Sequence, residues 1–217
     1  VYAYVAGTSQ DITPIRSTDA LVNAISTTTS SNIITITDTD HGAIQGDFVT
    51  LSSVSTAVAG IPAATLDAEY QILSIANSDA YTIQSSATAN ANTGPTANCT
   101  INYQLNIGPS VQTFGFGWGA GNWNAGTWNT PRTTSQITLD ARLWSINNWG
   151  EDLIITQKDG GTYEWDTSGG MSGNRATVIA NAPTTSTLSM ISTETRHVVC
   201  MGTETTIGSV GTQDKMF

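Results

Sequence analysis

Three groups of side chains in this sequence have the types and spacing to do chemistry. Asp38, Asp40 and His41 place three potential ligands within four residues. A calcium loop needs more oxygen donors in a set pattern, and a zinc site needs more His or Cys. The same residues can shape a turn instead, because Asp side chains bond to the backbone two residues on. The turn is the simpler reading, and no metal or other cofactor is expected. Glu164 and Asp166 stand two apart, with Glu151 and Asp152 nearby in sequence. Paired carboxylates are the machinery of glycoside hydrolysis. Alternate residues of one strand lie side by side rather than across a cleft, so this pair alone does not supply that geometry. The sequence has no GxSxG elbow, phosphate loop or dinucleotide fingerprint. His197, the second of two histidines, opens an apolar strand and reads as structural. No catalytic residue is assigned, and a non-enzymatic protein is expected.

The third group is aromatic. Trp118, Trp123 and Trp128 recur every five residues within GFGWGAGNWNAGTWN, after Phe116. A period of five fits neither a strand nor a helix. The intervening glycines free the backbone, which suggests a hinged loop whose indoles plug into a neighbouring surface. Tryptophan is a favoured anchor at protein interfaces. The alternative is a sugar platform, since indole faces match the apolar faces of pyranose rings.

The elements that must position these groups are β-strands. The most organised stretch is RLWSINNWGEDLIITQKDGGTYEWD, from Arg142 to Asp166. Leu153–Thr156 is a β-branched block, and Lys158-Asp159-Gly160-Gly161 is turn chemistry. Thr162–Asp166 alternates, placing Tyr163 and Trp165 on one face and Thr162, Glu164 and Asp166 on the other. That predicts an antiparallel hairpin with an aromatic core face and an acidic water face. Trp144 and Trp149 bracket Asn147-Asn148 and should bring in a further strand, so Trp144, Trp149, Tyr163 and Trp165 are the expected core of the unit. Upstream, strands are expected at Ile33–Thr37, Asp47–Leu51, Tyr70–Ile75, Ala80–Ile83 and Asn98–Tyr103, the pattern of a small all-β barrel or sandwich. Thr18–Ile25 has a brief helical look, and Thr27–Ser31 reads as a linker. Further strands are expected at Ala176–Ile179, Ser186–Ser192 and Arg196–Met201, with a loop over Thr203–Asp214. The chain as a whole reads as all-β.

The bulk composition fits that reading. Of 217 residues only 11% are charged, with Ser, Thr, Asn and Gly in their place, while 39% are apolar and six are Trp. This suits rigid extracellular or virion proteins and argues against disorder. Seventeen acidic residues against seven basic give a net charge of −10. The five Arg and two Lys are scattered, which excludes a phosphate-binding patch. An acidic surface could instead form a wall that repels a passing polyanion. Cys99 and Cys200 lie far apart and outside metal-ligand spacing, and read as free thiols or a disulfide. No apolar run approaches the length of a membrane span. The chain opens on Val1 and stops at Phe217 as a strand would begin, so it is expected to be part of a longer protein.

Two stretches carry a resemblance. Residues 33–83, with His41-Gly42, Gly46-Asp47-Phe48-Val49-Thr50, Gly60-Ile61, Tyr70 and Tyr81 in order, look like a small β module inserted in tailed-phage structural proteins. Residues 117–217 carry GWGAGNWNAGTWN, the W…WGE…L…GG.YEWD hairpin, a strand ending near Ala182-Pro183 and another ending at Gly202. This order is similar to the tail nozzle (tail tube protein B) proteins of short-tailed phages. Lys215 stands where proline is common in that family. The resemblance implies distorted β-propeller-like blades with an inserted module: a propeller-like strand and linker over 1–31, the small all-β module over 32–105, and a propeller-like domain over 106–217. It further implies a structural virion protein of the phage tail that forms a six-fold ring of copies below the adaptor and portal rings. Such a ring would bear tail fibres outside and pass viral DNA through its lumen without specific binding. Phe116, Trp118, Trp123 and Trp128 would then be interface residues; the alternative is a carbohydrate-binding tail-fibre or surface module built on the same tryptophans.

Overall fold

The computed structural model describes residues 1–107, 142–209 and 211–214. These residues form an all-β protein with one short helix. The first strands are β1 (Tyr2–Val5), β2 (Thr8–Asp11), β3 (Ile15–Leu21), β4 (Ile25–Thr27), β5 (Ile33–Thr37) and β6 (Phe48–Ser52). Helix α1 (Ala63–Leu66) follows, then β7 (Glu69–Gln71), β8 (Ser74–Asn77), β9 (Ala80–Gln84), β10 (Thr93–Thr96) and β11 (Cys99–Gln104). The last strands are β12 (Trp144–Trp149), β13 (Asp152–Gln157), β14 (Thr162–Trp165), β15 (Thr177–Val178), β16 (Leu188–Ile191) and β17 (Val198–Met201).

Residues 15–104 build a two-layer sandwich. One sheet has the order β10-β4-β5-β9-β8 and the other β3-β11-β6-β7, and all their pairings are antiparallel. Period-two alternation sends Ile34 and Ile36 of β5, and Tyr81 and Ile83 of β9, inward from one layer. Val49 and Leu51 of β6, and Cys99, Ile101 and Tyr103 of β11, meet them from the other, in a single core. The sheets share no hydrogen-bonded strand pair, so the unit is a sandwich rather than a closed barrel. α1 closes one margin with the buried Leu66. The helical look of 18–25 gives way to strand: β3 pairs along β11 from Leu21–Cys99 to Ile15–Gln104. The Ser/Thr segment that reads as linker begins inside β4, where Thr27 bonds through its hydroxyl to the Ala91 carbonyl and to Thr93 of the neighbouring strand β10. The sandwich thus takes in β3 and β4, upstream of residue 32.

The remainder is a base. The hairpin β1-β2 packs with the sheet β12-β13-β14-β15 around a second core of Ile12, Ile155, Tyr163, Trp165 and Ala176. Trp144 is half-buried beside them. The β12–β13 connection has two residues, and its first, Gly150, takes φ +79 as such turns require. The chain leaves the base at Pro14 and returns at Leu105, whose N–H donates to the Pro14 carbonyl at 2.8 Å. Arg175 braces this crossing, with ion pairs to Asp11 at 2.8 Å and Glu69 at 2.9 Å. Glu69 also accepts from Gln104 at the end of β11. Both cysteines are free thiols; burial, with Asp38 and Asp67 nearby, pushes Cys99 up to about 11.

Ile101 is fully buried between the two sandwich layers. Ile101→Ala is expected to cost about 2–5 kcal/mol, because it leaves a cavity that close-packed neighbours fill only in part. Denaturant unfolding checks this; an unchanged midpoint would show that the two layers do not share one core.

Candidate functional site

The turn cluster comes first, because its residues have the most ligand-like chemistry. Asp38 follows β5, and its buried carboxylate accepts from the Tyr103 hydroxyl at 2.5 Å. Tyr103 in turn lies 3.1 Å from the Tyr81 hydroxyl, and burial drives both phenols well above their ordinary range. His41 is buried against the Tyr81 ring, with centroids 5.1 Å apart. Its Nδ1 accepts from the Ala43 N–H at 3.0 Å, which leaves Nε2–H to donate to the Asn77 carbonyl at 3.2 Å. Asp40 takes a left-handed φ of 54° and is exposed. Arg16 spans the turn, donating to the carbonyls of His41 and Gly42 and lying over the Tyr103 ring. Asp38 and His41 therefore spend their lone pairs on the fold. Among the described residues no group of three or more His, Cys, Asp or Glu is placed to hold a metal ion.

The acidic residues of the hairpin do not converge on one point either. Asp152 accepts from the backbone and hydroxyl of Thr167. Asp166 lies beyond β14, where the Ser168 hydroxyl and then the Ser168 N–H, at 2.7 Å, hold its carboxyl below the ordinary range. Partial burial, then Asp152 and Asp166, raises Glu164. Phe116, Trp118, Trp123 and Trp128 lie outside the described residues.

The base sheet shows a division of chemistry between its two faces. Leu153, Ile155, Tyr163 and Trp165 point into the second core. The opposite face carries Ser145, Asn147, Thr156 and Thr162, which cross-strand register places on one side. Thr162, expected to face water beside Glu164, is buried there, because a further hairpin covers it. That hairpin is β16-β17. Its Ser189 is 3% exposed, and the Ser189 hydroxyl accepts from Thr156 at 2.8 Å. The Ser189 carbonyl accepts from Ser145 at 2.6 Å and Asn147 at 3.0 Å. Cys200, paired with Ser189, sits 3.7 Å from the Thr162 hydroxyl.

The inward side of the hairpin carries Ser189 and Cys200 together with the half-buried Ile191–Val198 pair, while its outward side is wholly apolar. Leu188 opposes Met201 and Met190 opposes Val199 in register. These four are 38%, 38%, 46% and 41% exposed in that order. A two-stranded ribbon normally buries such a ladder and leaves its hydroxyls to water. Here the order is reversed, and a cross-strand apolar patch stands on the surface. Trp149, expected in the core, departs from that placement as well. It is 36% exposed at the rim, and its indole N–H donates to the Arg196 carbonyl in the β16–β17 turn at 2.7 Å.

A buried carboxylate pins the open end of this hairpin. Glu204 follows β17 and accepts from the backbone N–H and hydroxyl of both Thr184 and Thr185, which precede β16, and from the Gly208 N–H. Desolvation would raise its pKa, but the bonds from Thr185, Gly208 and Thr184 outweigh it and hold the carboxyl far below its ordinary range. Nothing in the local sequence marks this residue. The region reads as loop, and the Thr184-Thr185 donors lie about twenty residues upstream.

No protein-family model matches the chain, and no curated protein matches it. Among solved structures it is similar to a phage phi92 endosialidase, at TM-score 0.35 and 13% identity, over 79% of this chain and 25% of that one. The chain thus spans about a quarter of the length of that structure. A likeness at this level assigns neither a family nor an activity.

Glu204→Gln is expected to destabilise the protein by about 1–3 kcal/mol, because buried donors lose their anionic acceptor. The folded-state pKa lies below the ordinary value of 4.5, so the contribution is whole above pH 4.5 and is lost as pH falls further. Urea unfolding as a function of pH reads both effects. Wild type should lose stability below pH 4.5 more steeply than Glu204→Gln, and parallel curves would show that the carboxylate is not preferentially ionised in the fold.

Proposed function

We propose that this chain is a structural, interface-forming, non-enzymatic part of a phage tail protein, a nozzle-type subunit that meets further copies of itself through the outer side of β16-β17. The observation that carries the reading is the outward ladder of Leu188, Met201, Met190 and Val199. An isolated two-stranded ribbon is marginal in water, and this one is docked on hydroxyl and carbonyl contacts. Each such hydrogen bond is worth only about 1 kcal/mol net. Covering the apolar side with a partner removes the exposed patch without disturbing the polar seam beneath.

The motif order quoted above supports the phage-tail part of the reading, as does a surface poor in charge. The net charge of −10 suits a wall past which DNA slides without sticking. Closed rings of identical subunits need a patch on each copy that is complementary to another patch on its neighbour. The hairpin ladder supplies one such patch in this proposal.

Light scattering on the full protein that contains this chain tests the proposal. Wild type should form a closed ring of several copies. Met190→Asp, which sets a charge in the middle of the ladder without touching Ser189 or Glu204, should shift the population to monomer by tenfold or more while circular dichroism stays unchanged. A wild-type protein that remains monomeric, or a variant that assembles as wild type does, would overturn the reading.

A further inference from the structure

A groove of about 370 Å³ opens where the β12–β13 turn meets the β16–β17 turn. Its walls include Asn147, Asn148, Trp149, Ser192, Thr193 and Arg196. It lies at the tip of the hairpin, away from the pinned end at Glu204, and the ladder side chains Leu188, Met190, Val199 and Met201 do not line it. Its volume falls in the range of small-molecule sites, which combine an aromatic or apolar wall with a few placed polar groups.

Two features show that the wall is positioned. The indole of Trp149 is fixed by its N–H bond to the Arg196 carbonyl at 2.7 Å. Arg196 itself takes φ 53°, a left-handed conformation uncommon for a long side chain, and its N–H is tied to the Ser192 carbonyl at 2.9 Å. Its guanidinium lies across Gly150, where a Cβ would approach Nη1 to 3.4 Å. Gly150 therefore serves the turn and lies in contact distance of the guanidinium.

The charge of the groove then matters. Arg175 is committed to Asp11 and Glu69, and Arg16 to backbone carbonyls and the Tyr103 ring. Among the described residues the Arg196 guanidinium has neither an ion pair nor a side-chain hydrogen bond. The nearest acids in sequence, Glu194 in the same turn and Glu151 beside Gly150, are exposed and form no ion pair with it. A planar guanidinium matches a carboxylate bidentately. The hydroxyl residues Ser192 and Thr193 and an indole beside it match the hydroxyls and apolar face of a pyranose.

We propose that this groove binds a saccharide bearing a carboxylate, with Arg196 on the carboxylate and Trp149 against the ring. The proposal uses none of Trp118, Trp123 and Trp128 and does not depend on assembly through the hairpin ladder.

The test is a titration of the full protein, with indole nitrogens labelled, followed by nuclear magnetic resonance. The Trp149 indole N–H, assigned by its loss in Trp149→Phe, is the reporter. The Trp165 indole N–H, bonded to the Asn174 carbonyl at 3.1 Å, reports that the base stays folded. Sodium D-glucuronate should move the Trp149 signal, D-glucose and sodium acetate should move it at least tenfold more weakly, and the Trp165 signal should stay in place. An oligoglucuronate that binds more tightly than the monosaccharide would identify a chain as the source of the sugar acid, and equal binding would identify a terminal residue. Arg196→Gln should weaken glucuronate binding by about tenfold, the range of a charge-assisted contact, and abolish the preference over glucose. Arg196→Lys should retain part of it. No movement with glucuronate, equal movement with acetate or glucose, or an unaltered preference in Arg196→Gln would each overturn the proposal.

Discussion

The base of this protein depends on a polar seam where an apolar one is usual. β13 and β14 are covered on both sides: one side meets the second core, and the other, which also buries Ile154, carries the polar groups of the seam. On the other, the hydroxyls of Thr156, Thr162 and Ser189 meet one another and Cys200. Buried polar groups are costly when unpaired, so the hairpin above them has one orientation that satisfies the seam. Turning it over would bury Leu188 and Met190, yet it would strand Thr156, Ser145 and Asn147. That specification sets the apolar ladder on the surface. Directional bonds decide which side faces in, and the hydrophobic patch is the consequence.

The same logic explains why the termini of the hairpin need an anchor. The seam contributes orientation more than free energy, and a ribbon held that way would fray at its open end. Glu204 gathers the chain before β16 and after β17 on one carboxylate. At the other end the Trp149 indole holds the turn through the Arg196 carbonyl. The ribbon is thus fastened at both ends and in the middle by polar contacts, which leaves its outer side without a duty among the described residues.

Much of this was legible in the sequence and some of it was not, for identifiable reasons. The alternation of Ile34, Ile36, Tyr81, Ile83, Ile101 and Tyr103 has the strand period, and each is buried as that period implies. Tyr163 and Trp165 follow the same rule. β3 and β4 were missed because Ser, Thr and Asp dominate them, and sheet pairing with β11 and β5 overrides so weak a signal. The burial of Thr162 and the exposure of Trp149 went against the hairpin pattern because a second hairpin, distant in sequence, covers one face. The turn cluster of Asp38, Asp40 and His41 was legible as a turn. Its tie to Tyr103 was not, since 65 residues separate Asp38 from its partner. Glu204 carried no local signal at all; its environment is made by residues brought to it from elsewhere.

The crossing at Pro14 and Leu105 has one more consequence. The two chain passages between base and sandwich lie side by side and share a backbone hydrogen bond, with Arg175 laid across them. The ninety residues from 15 to 104 close on themselves around their own core, and the base keeps its own core without them. Such a doorway makes the sandwich a cassette. A segment of another length could replace it without altering the register of β12 to β15, provided that its two ends return to the same place and that the Ile15–Ala176 backbone bond and the Arg175–Glu69 pair are replaced.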